Sequence, residues 1–373
     1  MRNNVALRVG DGRRAESTAG SLRRLAIGVV AGAAVLAGCA GGGDGASASP
    51  AASVASATPG PGEFQNPVIE GDFPDPGTLL VDGTYYAYAT TNGAENIQGA
   101  RSTDLVSWER IAEPLPVLPD WASGDTWAPE VINTSAGFVM FYSARVFDTP
   151  RSSGDNALCV THAVANGPEG PFRDDSSEPL VCPVEQGGAI DAFPFRDEDG
   201  TLYLIWKNDG NCCGIDTEFW AQPLSGDGLT LTGEPTSLGV RDDEPWEGRV
   251  IEAPSLFFQG GTYYLFFSAN SYAGAEYAVG YATSDTMLGP YTDAEENPIL
   301  RTPEDPDPRN ALGPGGQSVV ADPDGDLWMV YHSWNFDPVT IELQGRSVWM
   351  DELTLEDGTA TVAGPDSGPQ PVP

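Results

Sequence analysis

Five short segments of this 373-residue chain each carry one prominent polar residue among small and apolar neighbours. They are Asp75 in FPDPG, Glu130 in WAPEV, Asp191 in AIDAF, Glu252 in IEAPS and Gln317 in GPGGQS. Four of the five are carboxylates. Carboxylates that share a confined space raise one another's pKa, because each ion disfavours the next; one can then stay protonated near neutrality while another stays ionised. Such a set can give a proton to one atom and take one from another, which is what general acid–base catalysis requires. A purely structural protein has little reason to gather such costly charges, so the pattern points to a catalytic constellation.

The elements that must position these residues follow from an internal repeat. Each polar segment precedes, by about seven to eleven residues, a glycine turn and an aromatic-rich stretch. The stretches are GTYYAYATT from Gly83, GFVMFYSAR from Gly137, GTLYLIWKN from Gly200, GTYYLFFSAN from Gly261 and GDLWMVYHSW from Gly325. Their glycines lie 54, 63, 61 and 64 residues apart. Alternation such as Tyr203 and Ile205 against Leu202 and Leu204 reads as strand, apolar on both faces as stacked sheets require. No helix-forming window longer than a turn or two is present. Units of this size predict an all-β fold, a five-bladed β-propeller with four antiparallel strands per blade. Matching segments then fall on the same strand of each blade; if that strand is the innermost, the five polar side chains converge near the axis.

Composition excludes several partners and chemistries. The formal net charge is −36 with only 18 Lys and Arg, whereas a phosphate backbone needs clustered cations, so nucleic acid is not expected. A neutral or weakly charged substrate fits better. There is no Gly-rich phosphate loop, no C-x-x-C pair and no H-E-x-x-H. No cofactor is expected to be required.

The N-terminus reads as targeting. Six arginines precede residue 25, an apolar run spans Leu25 to Ala37, and Leu36-Ala37-Gly38-Cys39 follows. Residues 1–38 are expected to be a signal peptide, too short to span a bilayer. Its ending resembles the lipobox of bacterial lipoproteins, which implies lipidation of Cys39, a membrane anchor and an extracytoplasmic location. Residues 39–62 read as a flexible tether, 63–363 as the propeller and 364–373 as a loose tail. With Cys39 set aside, Cys159, Cys182, Cys212 and Cys213 allow three disulfide connectivities. Cys159–Cys182 with a vicinal Cys212–Cys213 bridge is the preferred one, two separate bridges from the Cys212-Cys213 turn the alternative.

The chain resembles family 43 glycoside hydrolases, the arabinases, arabinofuranosidases and xylosidases built on five-bladed propellers. The motifs are NPVIEGDFPDP from Asn66, TWAPEV from Thr126, AIDAFPF from Ala189 with Asp199-Gly200, IEAPSLF from Ile251 with Tyr263-Tyr264, and Gly345-Arg346. Each is weak alone, and their order and spacing across residues 64–363 are specific. The resemblance implies an inverting hydrolase of arabinose- or xylose-containing plant polysaccharides, with Asp75 as general base, Glu252 as general acid and Asp191 orienting Glu252 and raising its pKa. It gives Glu130 no chemical role and leaves it a structural or cleft-lining part. Phe73, Trp127 and Phe193 adjoin the inner segments and are candidate sugar platforms. Gln317 is expected to line the channel and Arg346 to reach the cleft, while Trp206 and Trp334 are expected in packing between blades. Asp72 is expected to shape the loop before Asp75. Many relatives read Gly-Pro-Gly-His-Asn where this chain has Gly313-Pro314-Gly315-Gly316-Gln317. The histidine that organises a central ion in those relatives is replaced by Gly316, and neither His162 nor His332 stands at its position, so a calcium or sodium ion cannot be carried over. A monomer acting as an exo-α-L-arabinofuranosidase is the first expectation, endo-arabinanase or β-xylosidase the next, and a non-catalytic glycan-binding propeller the reading from another class.

Overall fold

A computed structural model of the chain describes residues 59–304, 311–337 and 342–373. The expected signal peptide, Cys39 and all but the last residues of the tether lie outside the described residues. A short strand β1 (Glu63–Gln65) is followed by five antiparallel sheets in chain order. The first comprises β2 (Gly77–Val81), β3 (Thr84–Ala89), β4 (Gln98–Ser102) and β5 (Glu109–Arg110). The second holds β6 (Trp127–Thr134), β7 (Gly137–Pro150) and β8 (Asn156–Ala165). Next come β9 (Ala189–Arg196), β10 (Leu202–Asn208), β11 (Glu218–Leu224) and β12 (Thr236–Arg241). The fourth runs β13 (Ile251–Gln259), β14 (Thr262–Ala269), β15 (Ala278–Ser284), β16 (Thr292–Asp293) and β17 (Leu300–Arg301), the last two both pairing with β15. The fifth is β18 (Leu312–Ala321), β19 (Leu327–Asp337), β20 (Glu342–Glu356) and β21 (Thr359–Val362).

The five repeats are the five blades of a propeller. The aromatic stretches are β3, β7, β10, β14 and β19, the second strand of each blade. Four strands per blade is corrected in two places. The second blade has three, its outer edge met by isolated bridges from Gly188 to Leu158, Val181 to Val160 and Arg173 to Val164, and the fourth splits its outer strand in two. Outer positions face solvent on one edge and are held by fewer partners, so they tolerate this irregularity.

Both faces of the inner strands are buried because each blade is clamped between two others. On β14, Phe266 packs with Tyr331 and Met329 of blade five, while its neighbour Phe267 packs with Phe219 and Ile205 of blade three. Both rings are fully buried. Each contributes roughly 1.5–3 kcal/mol relative to exposure. Equivalent apolar layers lie between blades five and one, one and two, and two and three. Five interfaces therefore close the ring.

The tail is not loose. Strand β22 (Pro369–Pro371) pairs antiparallel with β1, and Gln370 is buried. Gln65 Nε2 donates to the carbonyl of Ser367, and Asn66 Nδ2 donates to those of Met350 and Asp366. Residues 63–66 and 366–371 thus latch the first and last segments together. The Pro/Gly-rich composition hid this, because the pairing is between segments some 300 residues apart. The cysteines pair as preferred, Cys159–Cys182 and Cys212–Cys213.

Candidate active site

The innermost strand of each blade reaches the axis through one residue with a left-handed backbone: Asp75 (φ 55°), Ala128 (45°), Asp191 (56°), Ala253 (52°) and Gly316 (59°). Four of these are not glycine, a conformation that costs energy and persists only where the surrounding structure enforces it. In β6, β9, β13 and β18 the ladder register shifts at this point, two strand residues opposing one. The five polar residues named from the sequence are therefore not equivalent. Asp75 and Asp191 occupy the left-handed position itself, Glu252 lies one residue before it, Gln317 one after and Glu130 two after. Counting along the chain could not register a bulge, but all five segments do reach the axis.

Asp75 is held by three side chains. Thr90 Oγ1 donates to its Oδ2 at 2.6 Å, while His332 Nδ1 and Arg346 Nη1 lie 3.2 and 3.5 Å from its Oδ1. Burial alone would raise its pKa. The Arg346 charge, His332 and the Thr90 hydroxyl outweigh burial and hold the carboxyl well below the usual carboxylate range. It is an ionised proton acceptor at neutral pH.

Asp191 is its opposite. Burial first, and then the nearby Glu252 charge, push its pKa up, against the pull of Lys207 and of the Ala253 N–H that donates to Oδ2 at 2.9 Å. Glu252 is gripped by the Lys207 ammonium at 3.1 Å on Oε2 and by the Tyr277 hydroxyl at 2.8 Å on Oε1. Lys207 is fully buried. Burial would lower its pKa, and Glu252, Asp209 and Asp191 raise it instead, so it stays an ammonium. The raised pKa makes Asp191 the carboxyl on this side of the site that can carry a proton near neutrality.

These groups open into a cleft of about 370 Å³ whose walls include Trp127, Tyr272, Arg346, Arg151 and Cys212. Trp127 and Arg346 are where the sequence placed them. The Arg346 guanidinium lies over the rings of Tyr272 and Trp334, at 5.1 and 5.6 Å, so Trp334 stands beside the cleft rather than between blades. Trp206 is buried between blades as expected. Asp72 does shape the loop, its Oδ1 accepting from the Arg346 N–H at 2.9 Å. Two platforms are corrected. Phe73 is completely buried in the layer between blades five and one, with the Arg110 guanidinium over its ring. Phe193, two residues past the left-handed Asp191, is turned into the layer between blades three and four. Strand alternation, not distance along the chain from the acid, decides which ring faces sugar.

Behind the cleft lies an axial chamber of about 20 Å³ lined by Asp75, Glu130, Asp191, Gly316 and Gln317, among others. That is room for about one water-sized group. Burial pushes Glu130 up to about 8, and Gln317 is committed to Ser268 Oγ and the Ala253 carbonyl. Among the described residues no group of three or more His, Cys, Asp and Glu side chains is arranged to hold a metal ion.

Sequence reading missed Thr90, Lys207, Tyr277, Tyr272 and the true place of His332. Lys207 left a signal: it is the one charge in the apolar stretch TLYLIWKN. The others left none: Thr90 and Tyr277 reach their acids from another strand or loop of the same blade, and Tyr272 and His332 act across a blade boundary.

A propeller that gathers an ionised carboxylate, a carboxyl of raised pKa and a third carboxyl held by Lys207 and Tyr277 on an open cleft has the groups that acid–base hydrolysis needs. The profile of glycosyl hydrolases family 43 matches residues 64–360, and the chain belongs to that family; it is a glycoside hydrolase. It is 29% identical over 280 residues to a β-D-galactofuranosidase of Aspergillus niger, covering 72% of this chain and 75% of that one. It is 30% identical over 308 residues to a β-xylosidase of Bacillus subtilis, covering 79% of this chain and 52%, about half, of that relative. Among solved structures it resembles a thermostable family-43 glycoside hydrolase, with a TM-score of 0.73, 34% identity and coverage of 83% and 99%.

Proposed function

We propose that the chain hydrolyses terminal α-L-arabinofuranosyl groups from plant-type oligosaccharides or polysaccharides, with inversion. The observation that carries the mechanism is the contrast between Asp75, held ionised by Arg346, His332 and Thr90, and Asp191, whose pKa burial and the Glu252 charge push up. Asp75 takes a proton from water as it attacks the anomeric carbon. Glu252 gives a proton to the departing glycosidic oxygen, so the C–O bond breaks to a neutral alcohol. Asp191 sits beside Glu252; a proton from solvent restores the acid while Asp75 releases the one it took from water. Lys207 and Tyr277 fix the Glu252 carboxyl so that its proton is delivered in one direction. Trp127 and Tyr272 offer ring faces for sugar, and Arg346 offers a fork of donors for its hydroxyls.

The sugar is argued from chemistry. β-D-Galactofuranosides, named in one relative, share their ring size and hydroxyl arrangement with α-L-arabinofuranosides. The named β-xylosidase keeps β-xylosides as the second reading. We further propose that the chain is exported, anchored through lipid on Cys39 and works as a monomer; the Leu36-Ala37-Gly38-Cys39 ending supports the anchor. Product analysis after incubation with arabino-oligosaccharides and xylo-oligosaccharides, beside an Asp75→Ala control, tests the reading. Arabinose released by the wild type and absent in the control is expected. Xylose alone would move the assignment to β-xylosidase, and a fully active control would remove Asp75 from the chemistry.

A further inference from the structure

We propose that His332 is the positioning residue of the base, taking up from the second strand of blade five the space that a side chain at position 316 would otherwise fill. The inference rests on Asp75 being the base. His332 is fully buried. Its Nδ1 lies 3.1 Å from the Asp75 backbone N–H, which donates to it, and 3.2 Å from Asp75 Oδ1. That nitrogen accepts from the backbone of a residue whose left-handed conformation needs outside support, and stands within reach of its carboxyl. On its other side the imidazole stacks on Tyr277, centroids 5.8 Å apart and planes 9° from parallel, and Tyr277 donates to Glu252. His332 therefore touches the base directly and the acid through one ring.

Gly316 is what admits it. A Cβ at 316 would stand 2.5 Å from His332 Nδ1 and 2.8 Å from Asp75 Oδ1. Backbone conformation alone does not demand glycine there, because Ala128 and Ala253 hold the same left-handed position in blades two and four. The requirement comes from the imidazole. The charged and titratable groups around the ring are Asp75, Arg346, Glu252 and Tyr277. Nδ1 can accept from the Asp75 N–H or, when it carries a proton, donate to Oδ1, but not both at once. Its Nε2 is buried without a partner. The ring is thus held by Asp75 and by stacking alone.

The test reads Asp75 directly. The carboxyl titration of Asp75 is followed by carbon NMR on aspartate-labelled protein, assigned by loss of the signal in Asp75→Asn, in wild type, His332→Gln and Gly316→Ala. Both variants are expected to raise the Asp75 midpoint by about one pH unit or more, since each removes or displaces the imidazole that holds the Asp75 backbone in place and, when Nδ1 carries a proton, donates to the carboxylate. On a substrate the wild type turns over, kcat should fall about 10- to 100-fold, with KM within about threefold and the acid limb of kcat/KM moved to higher pH. An unmoved Asp75 midpoint in both folded variants overturns the proposal whatever the substrate. If His332→Gln fails to fold, Gly316→Ala decides, because blades two and four accept alanine at that backbone position. Failure of the catalytic reading looks different: Asp75→Asn would remain as active as wild type while the midpoint still shifted in the variants.

Discussion

Asp75 and Asp191 occupy the same backbone position in two blades and titrate at opposite ends of the carboxylate range. Burial pushes both upward, so the difference lies in their neighbours. Asp75 meets a guanidinium, an imidazole and a hydroxyl, whereas Asp191 meets the carboxylate of Glu252. The pH dependence follows from those directions. Turnover needs Asp75 ionised, and its depressed pKa keeps it so below the ordinary carboxylate value of about 3.9. On the proposed mechanism the acid side of the site must also carry a proton, and Asp191, raised to about 7, loses its own as pH rises through neutrality. kcat/KM is therefore expected to hold through the acidic range and decline on the alkaline side of neutrality; a profile rising through pH 8 would contradict the assignment. Glu252→Ala should slow natural oligosaccharides by about 10²–10⁴-fold. It should act far less on aryl glycosides, whose leaving groups need little protonation. Equal losses on both substrates, measured side by side, would remove Glu252 from the acid role. At this scale the three acids were legible because residue type and order in the motifs survive without structure. Lys207, Thr90 and Tyr277 were not, because they come from other strands or loops and meet the acids only once those segments pack together.

Bulges and hairpins decide which side chains the strands present. The two-against-one bulge beside Asp191 turns Phe193 inward, and the repeat in the sequence has no mark for it. The β7–β8 hairpin shows the same dependence on docking. Arg151, near its tip, forms a buried ion pair with Asp209 of the turn after β10 and donates to the Gly187 carbonyl at 2.9 Å. The Cys212–Cys213 turn lies against the same hairpin, with Ser153 Oγ 3.7 Å from Cys213 Sγ. Arg151→Ala leaves Asp209 buried and uncompensated, which should cost about 3–5 kcal/mol by denaturant unfolding. A second change, Asp209→Leu in the Arg151→Met background, should recover most of that loss, since an apolar pair carries no desolvation penalty. No recovery would mean that the hairpin is held by other contacts. Because Arg151, Asp209 and Cys212 also line the cleft, KM for oligosaccharides should rise in Arg151→Ala more than kcat falls.

The whole molecule is a ring, and a ring is as stable as its closure. Blade five closes on blade one through Trp328, Met350 and Val348 against Phe64, Ile69 and Phe73, and β22 adds the latch onto β1. Removing residues 364–373 deletes that pairing and the hydrogen bonds to Gln65 and Asn66. The expected loss is about 2–4 kcal/mol, read as a Tm several degrees lower, with activity per folded molecule unchanged at 25 °C. An unaltered Tm would return the tail to the loose state that its composition suggested. The repeat and its glycine turns determined by themselves that five β-units would form, because local alternation and turn chemistry are written residue by residue. The order of the acidic motifs likewise determined the three carboxylates. Only the tertiary structure decided that blade two keeps three strands, that Phe73 is core and Phe193 packs half-buried between blades, that His332 abuts Asp75, and that β1 and β22 pair. Each of those outcomes depends on contacts between distant segments, whose energies arise from burial and charge at positions that no single stretch of sequence can define.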